Sequence, residues 1–262
     1  MKYFLVLIFL NVNILIVNCQ DLSGTVTYKL SKTTDTISNV TSSTEGTLFF
    51  NLTQNKSVYI TDRVFKPEPI EYSSEKKDDG TVVMKKTSKS GDKIGKVLYK
   101  NYAEKKLVFR DGFMSKAYII KDSYPDINWQ LLDSSKSIKG LICQKAEGDF
   151  RGRHYTAWFT NKIPVPDGPW KLCGLPGLIL EAYDEKKHFI FECISLDFPQ
   201  KIDEELKQPS SGEEIDFISY WKLYRQAQED AYKKIYAMIA EHGGQSYNSR
   251  FGSNFLERNF EK

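Results

Sequence analysis

The side chains most able to do chemistry in this chain are sparse or badly spaced. There are three histidines, His154, His188 and His242. His154 falls in a predicted strand and shares a face with Thr156 and Trp158, the place of a sheet histidine rather than of a general base. His188 and Cys193 are five positions apart in one predicted strand. That puts them on opposite faces, which argues against a Cys-His nucleophile. His242 stands at a predicted helix end, where a cation complements the dipole. A soft ion such as Cu(I) would have to recruit Cys143, Cys173 and a histidine from separate strands, with no local spacing to favour it, so neither a metal nor a cofactor is expected.

The acids are no more suggestive. Asp184-Glu185 and Asp203-Glu204 read as turn residues, and Glu181, on the face of Ile179 and Tyr183, reads as a solvent-facing strand position. There is no G-x-S-x-G elbow and no H-E-x-x-H, and "GDKIGKV" at 91–97 lacks the spacing and hydroxyl of a phosphate loop. No catalytic residue is assigned, and an enzymatic role is not expected.

What must position any site is a β framework. Alternation of apolar and polar residues, as in "SGTVTYKL" and "INWQLL", predicts antiparallel strands with one face on a core and one wet. Further strands are expected near 45–52, 56–62, 80–88, 95–101, 105–110, 115–121, 139–146, 152–160, 178–184 and 187–196. Nothing helical interrupts them, so parallel crossovers are not expected. The fold class is mainly β: a large curved antiparallel meander, as a half-barrel, open barrel or sandwich, with a C-terminal amphipathic helix. The charge-dense "SSEKKDDG" at 73–80 reads as a surface loop. Beyond "KQPSSGEE" the period changes to three and four, through Phe217, Trp221, Tyr224, Ala231, Ile235 and Met238, which predicts a helix over 213–242.

The N-terminal "MKYFLVLIFLNVNILIVNCQ" has one Lys before a short apolar run, the pattern of a secretory signal peptide over residues 1–20. Cleavage after Cys19 or Gln20 competes with a poor lipobox that would acylate Cys19. The organisation is then 1–20 signal, 21–200 β domain and 201–262 helical extension. Removing the signal takes one Lys from 37 basic residues and none from 34 acidic ones. A balance this even, with scattered Lys pairs, excludes a nucleic-acid footprint. Outside the cytoplasm, Cys143, Cys173 and Cys193 allow one disulfide, with Cys143 and Cys173 as the candidate pair. No spacing singles that pair out, and three buried, reduced thiols are the alternative.

One connection stands apart. "NKIPVPDGPWKLCGLPG", residues 161–177, carries four prolines and three glycines and cannot be a paired strand. "LPGL" at 175–178 suits a type II turn, with Pro176 second and Gly177 at positive φ third, while Gly174 would admit a close neighbour. "GPWKLCGLPGLILEAYDE", with the upstream "GLICQKAEGDFRGRHYTAWFTNKIPVPDGPW", closely resembles the signature of the GLPGLI family, secreted proteins of Gram-negative bacteria. The resemblance covers residues 127–198 and keeps the hexapeptide from Gly174 to Ile179 intact. It implies a secreted, β-rich protein, periplasmic or associated with the outer membrane. That family has no established activity, catalytic residue or cofactor, so no role is carried over.

By fold analogy with half-barrel lipoprotein carriers, the concave face is expected to take a lipid, acyl chain or other hydrophobic ligand. Its candidate rim and lid are Trp158, Trp170, Leu172, Gly174, Leu175, Pro176, Gly177 and Leu178, with the helix as plug or cover; each of Trp129, Trp158, Trp170 and Trp221 reads singly as a core residue, while a cluster of them beneath the loop would make an apolar cleft. The alternative is a non-enzymatic structural or protein-interaction component of the envelope, with an envelope protein as partner and an interior filled by its own side chains.

Overall fold

The computed structural model describes residues 22–35, 40–63, 71–76, 82–87, 92–113, 116–202 and 206–241. The expected signal segment, the Asp203-Glu204 pair and His242 lie outside these residues. The chain is built from two consecutive meanders. The first comprises β1 (Ser23–Asp35), β2 (Val40–Asn51) and β3 (Lys56–Thr61), a separate hairpin of β4 (Glu71–Lys76) and β5 (Val82–Thr87), then β6 (Lys96–Asn101), β7 (Lys106–Phe113) and β8 (Lys116–Asp122). The second comprises β9 (Gln130–Ile138), β10 (Leu141–Phe150), β11 (Arg153–Thr160), β12 (Leu178–Asp184) and β13 (Phe189–Asp197). They join edge to edge where β1 pairs antiparallel with β13, Val26 opposite Leu196. A last strand, β14 (Glu213–Asp216), returns to pair parallel with β8, and α1 (Phe217–Glu241) follows directly.

The result is one open twelve-stranded sheet, ordered β14-β8-β7-β6-β3-β2-β1-β13-β12-β11-β10-β9, and mostly antiparallel. Mainly-β architecture with a C-terminal helix therefore holds. Residues 213–216, expected to start the helix, are instead extended, because their backbone completes the ladder along β8. Asp216 then caps α1, its Oδ1 accepting the Ser219 amide at 2.9 Å. The polar segment expected as a loop from 73 onward pairs as β4 as far as Lys76. "INWQLL" becomes a strand only from Gln130, and Trp129 stays outside it.

The hairpin turns explain the register. Lys139-Gly140 and Arg151-Gly152 both have positive φ at two successive residues, the mirror-image turn that matches strand twist. The β2–β3 and β6–β7 turns share a different device. Asn51 Oδ1 accepts the Gln54 amide at 2.8 Å and Asn101 Oδ1 accepts the Glu104 amide at 3.0 Å, and each turn ends in a left-handed residue, Asn55 or Lys105.

Two-sided burial is the main departure from the expected pattern of one wet face. β3 and β6 are buried at almost every position. Tyr59 and Leu98 face the main core with Val26, Tyr28, Leu48 and Phe50. On the opposite face, Val58, Ile60, Val97 and Tyr99 are covered by Ile202 and Leu206 from the segment that travels from β13 to β14.

Replacing Asn101, which is buried, with Ala removes the acceptor of the Glu104 amide; the expected loss is about 1 kcal/mol in urea unfolding, and Asn101→Asp, which keeps the acceptor, loses less.

Candidate functional site

The sheet curls around the connection between β11 and β12. This segment closes on itself at its base: the Leu178 amide donates to Ile163 O at 3.0 Å and the Ile179 amide to Asp167 O at 2.9 Å. Within it, the Gly174 amide donates to Pro166 O at 3.0 Å. The prolines stiffen a path that has no ladder to follow. Ile163, Val165, Leu172, Cys173 and Leu175 are all at most 4% exposed and belong to the core or are sealed by it. Tyr28, from the middle of the sheet, donates its hydroxyl to Ile179 O at 2.6 Å.

At the centre of the loop is one carboxylate. Asp167 Oδ2 accepts the hydroxyls of Ser57 at 2.5 Å and Tyr102 at 2.8 Å. Its Oδ1 accepts the Gly168 amide at 2.7 Å and the ammonium of Lys100. Lys100 Nζ also donates to Trp170 O at 2.8 Å and Gly168 O at 3.3 Å. Ser57 and Lys100 are direct register partners on β3 and β6, so a single row of the sheet presents both to the loop. Both side chains of the ion pair are fully buried. Burial of two charges is tolerated because every lone pair and proton has a partner.

A second cluster lies at the end of β8. Asp122 is almost wholly buried and receives Lys171 Nζ at 2.6 Å and Arg151 Nη2 at 2.7 Å. The Phe217 ring, at the start of α1, sits 4.2 Å from Lys171 Nζ and 4.7 Å from the Arg151 guanidinium. These are cation–π distances. Burial raises the Asp122 carboxyl, but Lys171 and then Arg151 outweigh it and hold it below the usual carboxylate range. Beside it opens a cleft of about 250 Å³ lined by Lys121, Asp122, Ser123, Arg151, Asp216, Phe217 and Ile218. The next turn of α1 is anchored by Tyr220, whose hydroxyl donates to Asp111 Oδ2 at 2.6 Å. Burial pushes the Asp111 carboxyl up, against the opposing pull of Lys96 and Tyr220.

The expected rim residues divide. Trp170, Leu172, Leu175, Gly177 and Leu178 are buried, while Gly174 and Pro176 are exposed. Trp158 is half-buried and packs against the main core, with Lys136 Nζ 4.5 Å from its ring. Trp129 donates Nε1–H to Cys173 O at 2.8 Å, and Trp170 packs edge-on against Phe150. Trp129, Trp158 and Trp170 thus all belong to or pack against the main core. The two glycines exchange their expected roles. Gly174 carries the positive φ, +96°, whereas Gly177 does not. A Cβ at Gly177 would come within 2.2 Å of Thr160 O, so glycine is required there for close approach.

Cys143, Cys173 and Cys193 are free, buried thiols, each pushed up to about 11 chiefly by burial and so held out of the reactive thiolate form. His154 is exposed beside Asp149, 2.9 Å away, and Glu181 pairs with Lys136 at 2.7 Å. Among the described residues no group of His, Cys, Asp and Glu is arranged to hold a metal.

The residues that sequence reasoning passed over are Asp167, Lys100, Ser57 and Tyr102. Two signals pointed to them. Asp167 is the only acid in residues 161–177, and Lys100 stands two positions after Leu98 on the core side of β6.

A family model described as a protein of unknown function (Porph_ging) matches residues 149–181. That span runs from the end of β10 through β11 and the whole interior loop, including Gly174 to Ile179, and into β12. It is consistent with a family of uncharacterised proteins. No curated protein matches. Among solved structures, PNGF-II in the P21 space group is 14% identical with a TM-score of 0.51, over 77% of this chain and 32% of that one. The C2 form is 16% identical with the same TM-score and coverage. An uncharacterized conserved protein from Thermus thermophilus is 9% identical with a TM-score of 0.35, over 75% of this chain and 91% of that one. The likeness to PNGF-II is one of fold, and the matched part is 32% of the PNGF-II chain.

Lys100→Met leaves the Asp167 carboxylate buried without its cation and is expected to cost about 3–5 kcal/mol in denaturant unfolding, with Asp167→Leu added to it recovering part of the loss. The acid limb tests the second cluster. Asp122 has a lowered folded value, so its contribution is present above the unfolded carboxylate range and is lost as pH falls through and below about 4; Asp122→Asn should flatten the fall in Tm over that window.

Proposed function

We propose that this protein is a non-enzymatic interaction component of the cell envelope, exported from the cytoplasm, that works through its outer surface rather than through its sheet interior. The observation that carries this reading is the burial of Ile163, Val165, Asp167, Leu172 and Leu175 of the β11–β12 connection against the sheet. An acyl chain on the concave face would need the space that Ile163, Val165, Leu172 and Leu175 occupy. Displacing them would also strand the Lys100–Asp167 pair without its backbone acceptors.

The outer features suit a protein partner. The cleft of about 250 Å³ at the start of α1 is smaller than the roughly 300–1,000 Å³ of small-molecule pockets, and is of a size to take one anchoring side chain. In its lining Ile218 leaves apolar surface of α1 in solvent, and Leu223 further along the helix is also exposed. The three thiols are buried and unreactive, and the Lys100–Asp167 pair has no exposed atom to offer a substrate.

The reading is tested by native mass spectrometry of the protein purified from its own envelope fraction, before and after organic extraction. The expected result is a single apo mass, unchanged by extraction and starting after Cys19 or Gln20. An extractable extra mass in stoichiometric amount would instead establish a hydrophobic ligand.

A further inference from the structure

We infer that the Lys100 and Asp167 side chains condense to an intramolecular amide, tying β6 covalently to the interior loop. Four observations place the parts of that reaction together. Nζ of Lys100 is in direct contact with Oδ1 of Asp167. Both side chains are fully buried, so neither is solvated by water. The other carboxyl oxygen, Oδ2, accepts two hydroxyl donors, Ser57 at 2.5 Å and Tyr102 at 2.8 Å. The surroundings are the apolar core, with Leu98, Leu107, Leu172 and Phe50 among its members.

The chemistry closes without any outside reagent. The Lys100 ammonium passes one proton to Asp167 Oδ1 across the contact that already joins them. The amine lone pair attacks Cγ, and the C=O electron pair moves onto Oδ2. There the Ser57 and Tyr102 hydroxyls already stand where negative charge develops, as donors do in an oxyanion hole. A second proton moves from nitrogen to Oδ1, the Cγ–Oδ1 bond breaks, and Oδ1 leaves as water. One C–N bond replaces one C–O bond, nothing is oxidised or reduced, and the charge pair disappears from the core. Fixing the two groups by the fold supplies the proximity such a condensation needs.

Residues 100 and 167 are 67 apart, so the product is a closed covalent loop that persists in denaturant. The test is the intact mass of the folded, full-length exported protein, followed by tryptic mapping. The expected result is a mass one water below that calculated for the mature chain starting after Cys19 or Gln20, with the peptides carrying Lys100 and Asp167 recovered as one joined species. Tyr102→Phe and Ser57→Ala, which keep both reacting groups, should yield a smaller joined fraction after equal time. A full-length mass with the two peptides separate overturns the proposal. So does a loss of one water with separate peptides, which would mark a succinimide at Asp167-Gly168 instead.

Discussion

Everything on the inner side of this sheet answers to one requirement: the Asp167 carboxylate, carried on a loop with no strand to hold it, must be met by partners from elsewhere in the chain. Ser57 and Lys100 come from adjacent strands of the first meander, Tyr102 from just beyond β6, and Gly168 from the loop itself. A buried charge left without any of these would cost several kcal/mol. The loop therefore cannot settle at arbitrary depth. Its one position on the sheet follows from the row that places Ser57 opposite Lys100, and the apolar residues on either side of Asp167 fill the curl as a result. Shape comes from the apolar residues; registration comes from the ion pair.

The C-terminal segment extends the same logic to the outside. Between β13 and β14 the chain crosses the back of β3 and β6 and covers it with Ile202 and Leu206, which is why those two strands are apolar on both faces. It then closes the β8 edge with four residues and docks α1 through Phe217 and Tyr220. Lys171 belongs to the interior loop, yet its ammonium lies against the Phe217 ring. The Lys171 side chain thus couples loop and helix. The opposite edge is defended differently. β9 accommodates Asp133 and Ser134 as extra residues between its pairings of Leu132 with Lys145 and Ser135 with Gln144. A bulge of this kind twists an edge away from further pairing.

Much of this was legible from residue order alone, and the limits have physical causes. Period-two alternation identified most strands of the sheet, since each strand's own pattern reports its burial. β14 was not legible, because four residues beginning with two acids look like the first turn of a helix, and only the β8 ladder makes them extended. The stiff loop was recognisable from its prolines, but its direction of travel was not. Proline and glycine fix local backbone geometry and say nothing of whether a segment lies over a sheet or inside it. Gly174 and Gly177 show the same limit: both had to be glycine, and only the position of Thr160 O assigns each its reason. The buried pair was half visible, since a lysine on the core side of a strand demands an anion somewhere, yet nothing local says that the anion is 67 residues away.

The junction of the two meanders has a consequence in time. β1 is synthesised before the other described strands, and it occupies the middle of the finished sheet. Its partner on one side, β2, follows at once. Its partner on the other side, β13, is made only after all the strands between them. Throughout that interval a long strand, with one face carrying Val26, Tyr28 and Leu30, presents an open hydrogen-bonding edge. A chain ordered this way gains little from folding as it emerges. It is suited to being held unfolded until complete, and to assembling its centre last.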